Sequence, residues 1–278
     1  MKFFKKTFLI ISKLIIFMFV ITGCSSDEKL VFSKISNEND LVAYKSALSL
    51  SLSGKNDKAA IKFESISNDF PYSNLSSKAE IMSAYSYYEN NEIKKTILKL
   101  NNFIEMNPSD EFSDYAHYLL AMCYYIQVSN DGRDPSLAKQ ALNYFKTIEI
   151  KYPNGKYAKD SKLKIQYLKN HLALNELLIG VFYLRKNSPT AAIKRFKIIL
   201  KDYQNSSVIP ETLYRLCEAL LMLGLKDEAY KSKALLNYNF SKNKWSLLSE
   251  NLFDTKLNDI ENKGMIVSIK NYFNTIFD

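Results

Sequence analysis

Five side chains in this sequence carry the softest chemistry available to a protein: the thiols of Cys24, Cys123 and Cys217 and the imidazoles of His117 and His171. A metal centre needs several such groups at short ligand spacing. Here the two histidines fall in separate helical segments with no Cys, Asp or Glu placed to complete a set. His-Glu-x-x-His, Gly-x-Ser-x-Gly, Walker phosphate-loop and Cys-x-x-Cys strings are absent. No catalytic residue, metal ligand or cofactor is therefore assigned, and a protein that is not an enzyme is expected. For Cys123 and Cys217 two readings stand, a disulfide in an oxidising compartment or two small side chains buried on helices. Helical packing in place of loop stapling favours the second.

Cys24 has a different setting. Residues 1–23 carry Lys2, Lys5, Lys6 and Lys13 with no acid, then an apolar run from Leu14 to Ile21, then Thr22-Gly23-Cys24. The run is shorter than the about twenty residues that span a bilayer, and its order is that of a signal peptide. Ile21-Thr22-Gly23-Cys24 resembles the lipobox of bacterial lipoproteins, which implies a diacylglycerol on the Cys24 sulfur and cleavage before it. Ser25 in place of Asp after the cysteine resembles the default for outer-membrane sorting. A lipid anchor facing the periplasm is expected, with residues 24–39 as a flexible tether.

These residues need elements to hold them. Seven Gly and six Pro in 278 residues are too few for the turns of an all-β fold or the phosphate loops of a dinucleotide-binding fold. Long helices joined by short turns are expected. The net charge of +9 falls to +5 once residues 1–23 are removed, and no run of five like charges exists. That pattern is a solvated surface and predicts no nucleic-acid partner.

The prolines punctuate a repeat. Asp69-Phe70-Pro71-Tyr72-Ser73, Met106-Asn107-Pro108-Ser109-Asp110, Lys151-Tyr152-Pro153-Asn154-Gly155 and Asp202-Tyr203-Gln204-Asn205-Ser206 follow one another at 37, 45 and 51 residues. Small residues stand where paired helices would cross: Ala47 with Ala59, Ala84 with Thr96, Ala121 with Ala141, Gly180 with Ala192, Cys217 with Ala229. Large residues follow one turn later at Phe63, Leu100, Phe145 and Phe196. Helices cross near van der Waals contact only over small residues, and the bulky one fills the next hole. The register is that of a tetratricopeptide repeat, whose length is 34 residues. The surplus over that length is assigned to a loop around Ser129–Pro135 and to seventeen residues in an unbroken helix over 157–186. The expected fold is all-α, a right-handed solenoid of five tetratricopeptide-like helix pairs over 40–240 with a C-terminal helical extension over 241–278. In that extension Trp245, Leu248 and Leu252, then Ile266, Ile269, Tyr272, Phe273 and Ile276, have helical spacing. It reads as a cap or as a docking element.

Over roughly residues 41–240 the chain resembles the BamD family, lipoproteins of the outer-membrane β-barrel assembly machinery. The resemblance rests on the lipobox, the five pairs, the interrupted third repeat, and the strings Ala84-Tyr85-Ser86-Tyr87-Tyr88-Glu89-Asn90, Phe103-Ile104-Glu105-Met106-Asn107-Pro108 and Arg133-Asp134-Pro135. It implies a periplasmic scaffold that holds the POTRA region of a BamA-like barrel protein, sits with other assembly-complex lipoproteins, and meets the C-terminal strands of unfolded outer-membrane proteins. It also implies that Arg195 pairs with an acidic POTRA residue. The chain departs from the family at Ser73-Asn74-Leu75 and at Gln204, where a proline is usual. Another lipidated tetratricopeptide adaptor, such as a pilotin or a regulator of cell-wall synthesis, remains the alternative.

From the repeat register alone, first helices present Leu41, Tyr44 and Leu48, then Lys78, Ile81, Tyr85 and Tyr88, then Tyr115, Tyr118, Met122 and Tyr125. A Tyr-lined groove with one cation suits an extended peptide with aromatic side chains. Tyr85 and Tyr88 would pack a terminal ring and Lys78 would face its carboxylate. Equally, these tyrosines fill space between neighbouring repeats.

Overall fold

The structure is a computed structural model that describes residues 27–129 and 134–261. Lipidation at Cys24, Arg133, and the apolar positions Ile266 to Ile276 lie outside the described residues. The described residues are all helical, with no strand among them. In chain order the helices are α1 (Asp27–Leu52), α2 (Asn56–Asp69), α3 (Ser76–Glu89), α4 (Ile93–Met106), α5 (Ser113–Tyr125), α6 (Ser136–Lys151), α7 (Ala158–Arg185), α8 (Pro189–Asp202), α9 (Ile209–Met222), α10 (Lys226–Phe240) and α11 (Lys244–Glu261). They form two compact units, Met1–Ala116 and His117–Asp278. Helix α1 starts at Asp27, so most of the stretch expected as a tether over 24–39 is helical. No Pro or Gly interrupts the chain between Ser25 and Ser53, and nothing else in the backbone forbids helix there.

Helices form pairs because two kinds of turn alternate. Within a pair, one residue adopts a left-handed backbone: Gly54 at φ 74°, Asn91 at φ 58°, Asn187 at φ 52° and Gly224 at φ 74°. At each, the next N–H reaches back to close the preceding helix, as from Lys55 to Leu50 O (3.0 Å) and from Leu225 to Leu220 O (3.0 Å). This is a Schellman cap, and Gly or Asn is the residue that tolerates its geometry.

Between pairs, a second turn recurs. Ser73 N donates to Phe70 O (3.0 Å), Asp110 N to Asn107 O (3.2 Å), Gly155 N to Tyr152 O (2.9 Å), Ser206 N to Tyr203 O (2.9 Å) and Asn243 N to Phe240 O (2.9 Å). After the first four turns the next pair starts three residues later, at Ser76, Ser113, Ala158 and Ile209; after the fifth, α11 starts at Lys244. Phe70, Asn107 and Tyr152 each precede a proline, which keeps them out of the helical region. Tyr203 takes the same conformation, φ −132° and ψ 42°, before Gln204. The turn therefore forms without its proline.

These turns fix the repeat at 37 residues: Phe70 to Asn107, and Tyr203 to Phe240. Against 37, the third interval of 51 exceeds the repeat by 14, which corrects the seventeen read against a 34-residue unit. The excess lies inside α7, 28 residues long and about 42 Å at 1.5 Å per residue. Fourteen residues are close to four full turns, so the insertion lengthens the helix without rotating its face far.

Within the first unit, Tyr44, Ala47, Ala59, Phe63, Ile66 and Ala79 form one buried cluster. In the second, Ala121, Ala141, Phe145 and Leu168 centre one cluster, and Gly180, Ala192, Phe196 and Cys217 belong to the packing of another. A Cβ added at Gly180 would lie 2.3 Å from Phe196 Cε1, so this crossing admits only glycine without a shift of the ring. Cys123 and Cys217 are free and buried. Burial pushes both thiols up to about 12, which keeps them protonated and unreactive.

Candidate functional site

In the first unit, α3 carries Lys78, Ile81, Tyr85 and Tyr88. Its position is set by the preceding turn, where Ser73 Oγ donates to a carboxylate oxygen of Asp40 and accepts from Leu75 N (3.0 Å). Lys78 is exposed, with its ammonium 5.4 Å from the ring centre of Tyr44. Tyr44 is buried edge-on against Phe63, with centroids 5.3 Å apart. It belongs to the core of the first pair and not to a groove wall. Ile81 is 3% exposed and also turns inward, which corrects its placement in the groove lining. Tyr85 and Tyr88 are half-buried. Burial raises the Tyr85 phenol above its usual range, and the Glu89 carboxylate beside it adds to the effect. Tyr115, at the start of α5, is half-buried too. What survives of the expected aromatic surface in this unit is one exposed ammonium and partly open Tyr rings, a set that can stack a ring and pair a carboxylate.

In the second unit, Tyr118 is tied into the fold. Its phenol donates to Asp160 Oδ2 at 2.7 Å and its ring stacks on Tyr157 with centroids 4.6 Å apart. Lys164 Nζ reaches the same carboxylate oxygen at 2.6 Å and sits 5.6 Å from the Tyr125 ring centre. Burial opposes ionisation of Asp160, but hydrogen bonds from Lys164 and Tyr118 outweigh it and hold the carboxyl below its usual range. Tyr118 thus fills space between α5 and α7, the second of its two expected roles.

Arg195, on α8, donates from Nη1 to Glu176 Oε2 on α7 at 3.0 Å. The arginine side chain is 37% exposed and the glutamate 17%. The guanidinium is therefore held by one carboxylate while part of its donor fork stays in solvent, where a second carboxylate can take it. Lys194 and Lys197 beside it are exposed.

His117 is buried against Tyr152, with ring centroids 5.8 Å apart, and burial followed by the charge of Lys151 pushes its pKa down. His171 stacks on Tyr167 at 6.4 Å.

Two features escaped the sequence reading. Asn91 and Asn187 fill the left-handed turn position that Gly54 and Gly224 hold in other pairs. Asparagine next to a helix end is a known signal for it. The second feature is an exposed apolar stripe on α7, formed by Leu163, Tyr167, Leu174, Leu178 and Phe182.

Comparison with known proteins follows the same lines. A family described as outer membrane lipoprotein, YfiO, matches residues 36–235. The outer membrane protein assembly factor BamD of Rickettsia prowazekii (strain Madrid E) is 37% identical over 241 residues, which are 85% of this chain and 93% of the relative. BamD of Caulobacter vibrioides is 36% identical over 192 residues, 69% of this chain and 63% of the relative. Among solved structures, a tetratricopeptide-repeat protein of Thermus thermophilus aligns with 78% of this chain and 98% of its own, at 18% identity and a TM-score of 0.34. No described helix is long and apolar enough to cross a membrane. With its repeat register, its turns and its curated relatives in agreement, the chain belongs to the YfiO family of outer membrane lipoproteins, whose curated members matched here are BamD assembly factors.

Proposed function

We propose that this protein is a non-catalytic scaffold of outer-membrane β-barrel assembly, anchored through lipid on Cys24 to the outer membrane and facing the periplasm. One observation carries the reading: the similarity to an assembly factor runs over 85% of this chain and 93% of that relative. Within it, Arg195 binds the POTRA region of a BamA-like barrel protein. Its half-exposed guanidinium, preset by Glu176, supports this role because a positioned Arg loses less freedom on pairing with a second carboxylate. The exposed Lys78 with Tyr85 and Tyr88 meets the C-terminal strand of unfolded outer-membrane proteins, ring against ring and ammonium against carboxylate. Other lipoproteins of the assembly complex are partners as well.

The test is titration of the purified POTRA region against the full lipoprotein in detergent. Arg195→Glu is expected to weaken binding at least tenfold, since it removes a charge-assisted pair and sets a like charge against the partner. Unchanged affinity would remove Arg195 from the interface. For the strand, a peptide ending in Phe should label α3, and equal labelling of a Tyr85→Asp, Tyr88→Asp variant would move its site elsewhere.

A further inference from the structure

The second unit holds an apolar surface that neither the POTRA contact nor the strand site uses. Leu163, Tyr167, Leu174, Leu178 and Phe182 of α7 are 42 to 66% exposed. At about 100° per residue they fall within an arc of about 100° and run about 28 Å along the helix. Ile165, Leu168 and Leu172, on the other side of α7, are buried in the unit's core. Exposed apolar residues grouped on one side of a helix over this length mark an interaction site. The stripe lies about 200° from Glu176 when measured from Leu174, so it faces away from the Glu176–Arg195 pair.

Charge and backbone chemistry narrow the occupant. Helix α7 has two exposed cations by the two ends of the stripe, Lys159 and Arg185. Its two acids are both engaged, Asp160 with Lys164 at 2.6 Å and Glu176 with Arg195 at 3.0 Å. An extended strand laid on this stripe would press its own N–H and C=O groups against Leu and Phe, which offer them no partner. A helix arrives with those groups already satisfied. The stripe's four-residue steps, 163 to 167 and 174 to 178 to 182, are the ridges along which two helices interdigitate. We infer that α7 docks an amphipathic helix of a partner protein, apolar on one face and flanked by Asp and Glu. Its anchors enter between the stripe's ridges and its acids meet Lys159 and Arg185.

The test uses the full lipoprotein in detergent and two labelled 21-residue helical peptides with one shared Leu/Phe stripe, one flanked by Glu and the other by Lys. The Glu peptide is expected to bind at least tenfold more tightly than the Lys peptide, and raising the salt should erode that margin. A Leu174→Ser, Leu178→Ser variant should lose at least tenfold in affinity with unchanged thermal melting, since both side chains are exposed. A photo-crosslinker at Leu178 in cells should join a segment that mass spectrometry identifies as an acidic amphipathic helix. Equal binding of both peptides, retained affinity in the double variant, or crosslinking to an extended segment or to a second copy of this chain would each overturn the inference.

Discussion

The fourth and fifth helix pairs solve the same packing problem with different parts. In the fourth, Phe196 stands one turn after Ala192 and presses on Gly180, so the pair fills its own hole. In the fifth, the equivalent position one turn after Ala229 is Lys233, which cannot fill an apolar hole. Phe253 of α11 is buried there instead, 4.8 Å from the Tyr230 ring centre and 4.7 Å from Lys233 Nζ. Lys233 also pairs with Glu250 of α11, which accepts a second hydrogen bond from Asn237 Nδ2 at 3.0 Å. Trp245 of α11 lies 5.1 Å from Tyr214 on α9. The fourth pair supplies its own large residue at this position. The last of the five borrows its bulk from the extension, so that part of the extension belongs to the fold.

That contrast can be broken from either side. Phe253→Ala should be the most damaging change, about 3–5 kcal/mol, because a fully buried aromatic ring leaves a cavity. Denaturant unfolding followed by hydrogen exchange in α9 and α10 reads it, and an effect below about 1 kcal/mol would make α11 a mere appendage. Gly180→Ala should cost about 1–3 kcal/mol, because the new methyl overlaps the Phe196 ring. The same substitution at a solvent-facing helical glycine would stabilise. At the turns, Gly224→Ala should cost about 1–2 kcal/mol at its φ of 74°. Asn187→Gly, at φ 52°, should change stability by less than about 0.5 kcal/mol.

The smallest effect concerns the ion pair. Hydrogen bonding by Lys233 holds the Glu250 carboxyl below its usual 4.5, although partial burial opposes this. A depressed carboxylate contributes stability above its unfolded pKa and loses it as pH falls through the folded value. Glu250→Gln should therefore cost under about 1 kcal/mol at pH 7. The difference from the parent protein should shrink as pH drops below 4.5.

Much of this architecture is written in residue size. Ala47, Ala59, Ala121, Ala141, Ala192, Cys217 and Ala229, picked as crossing residues, are all fully buried. The unbroken helix expected over 157–186 is α7, Ala158–Arg185. Asn91 and Asn187 were harder to see because asparagine serves many roles and only its backbone geometry reveals this one. The start of α1 was missed because Ser, Lys and Asn in that stretch suit a linker as well as a helix. Of the groove residues, Ile81 and Tyr118 share a helical register with exposed neighbours but sit at the edge of the face, where a small rotation decides between solvent and core. The α7 stripe escaped because an apolar residue at helical spacing reads as core whichever way it points.

As proposed, this protein works as a scaffold of β-barrel assembly. Affinity purification of the full chain from detergent-solubilised envelope tests it most directly. Co-purification of a POTRA-bearing barrel protein in stoichiometric amount is the predicted result. Its absence, with a pilus secretin recovered in its place, would contradict the account.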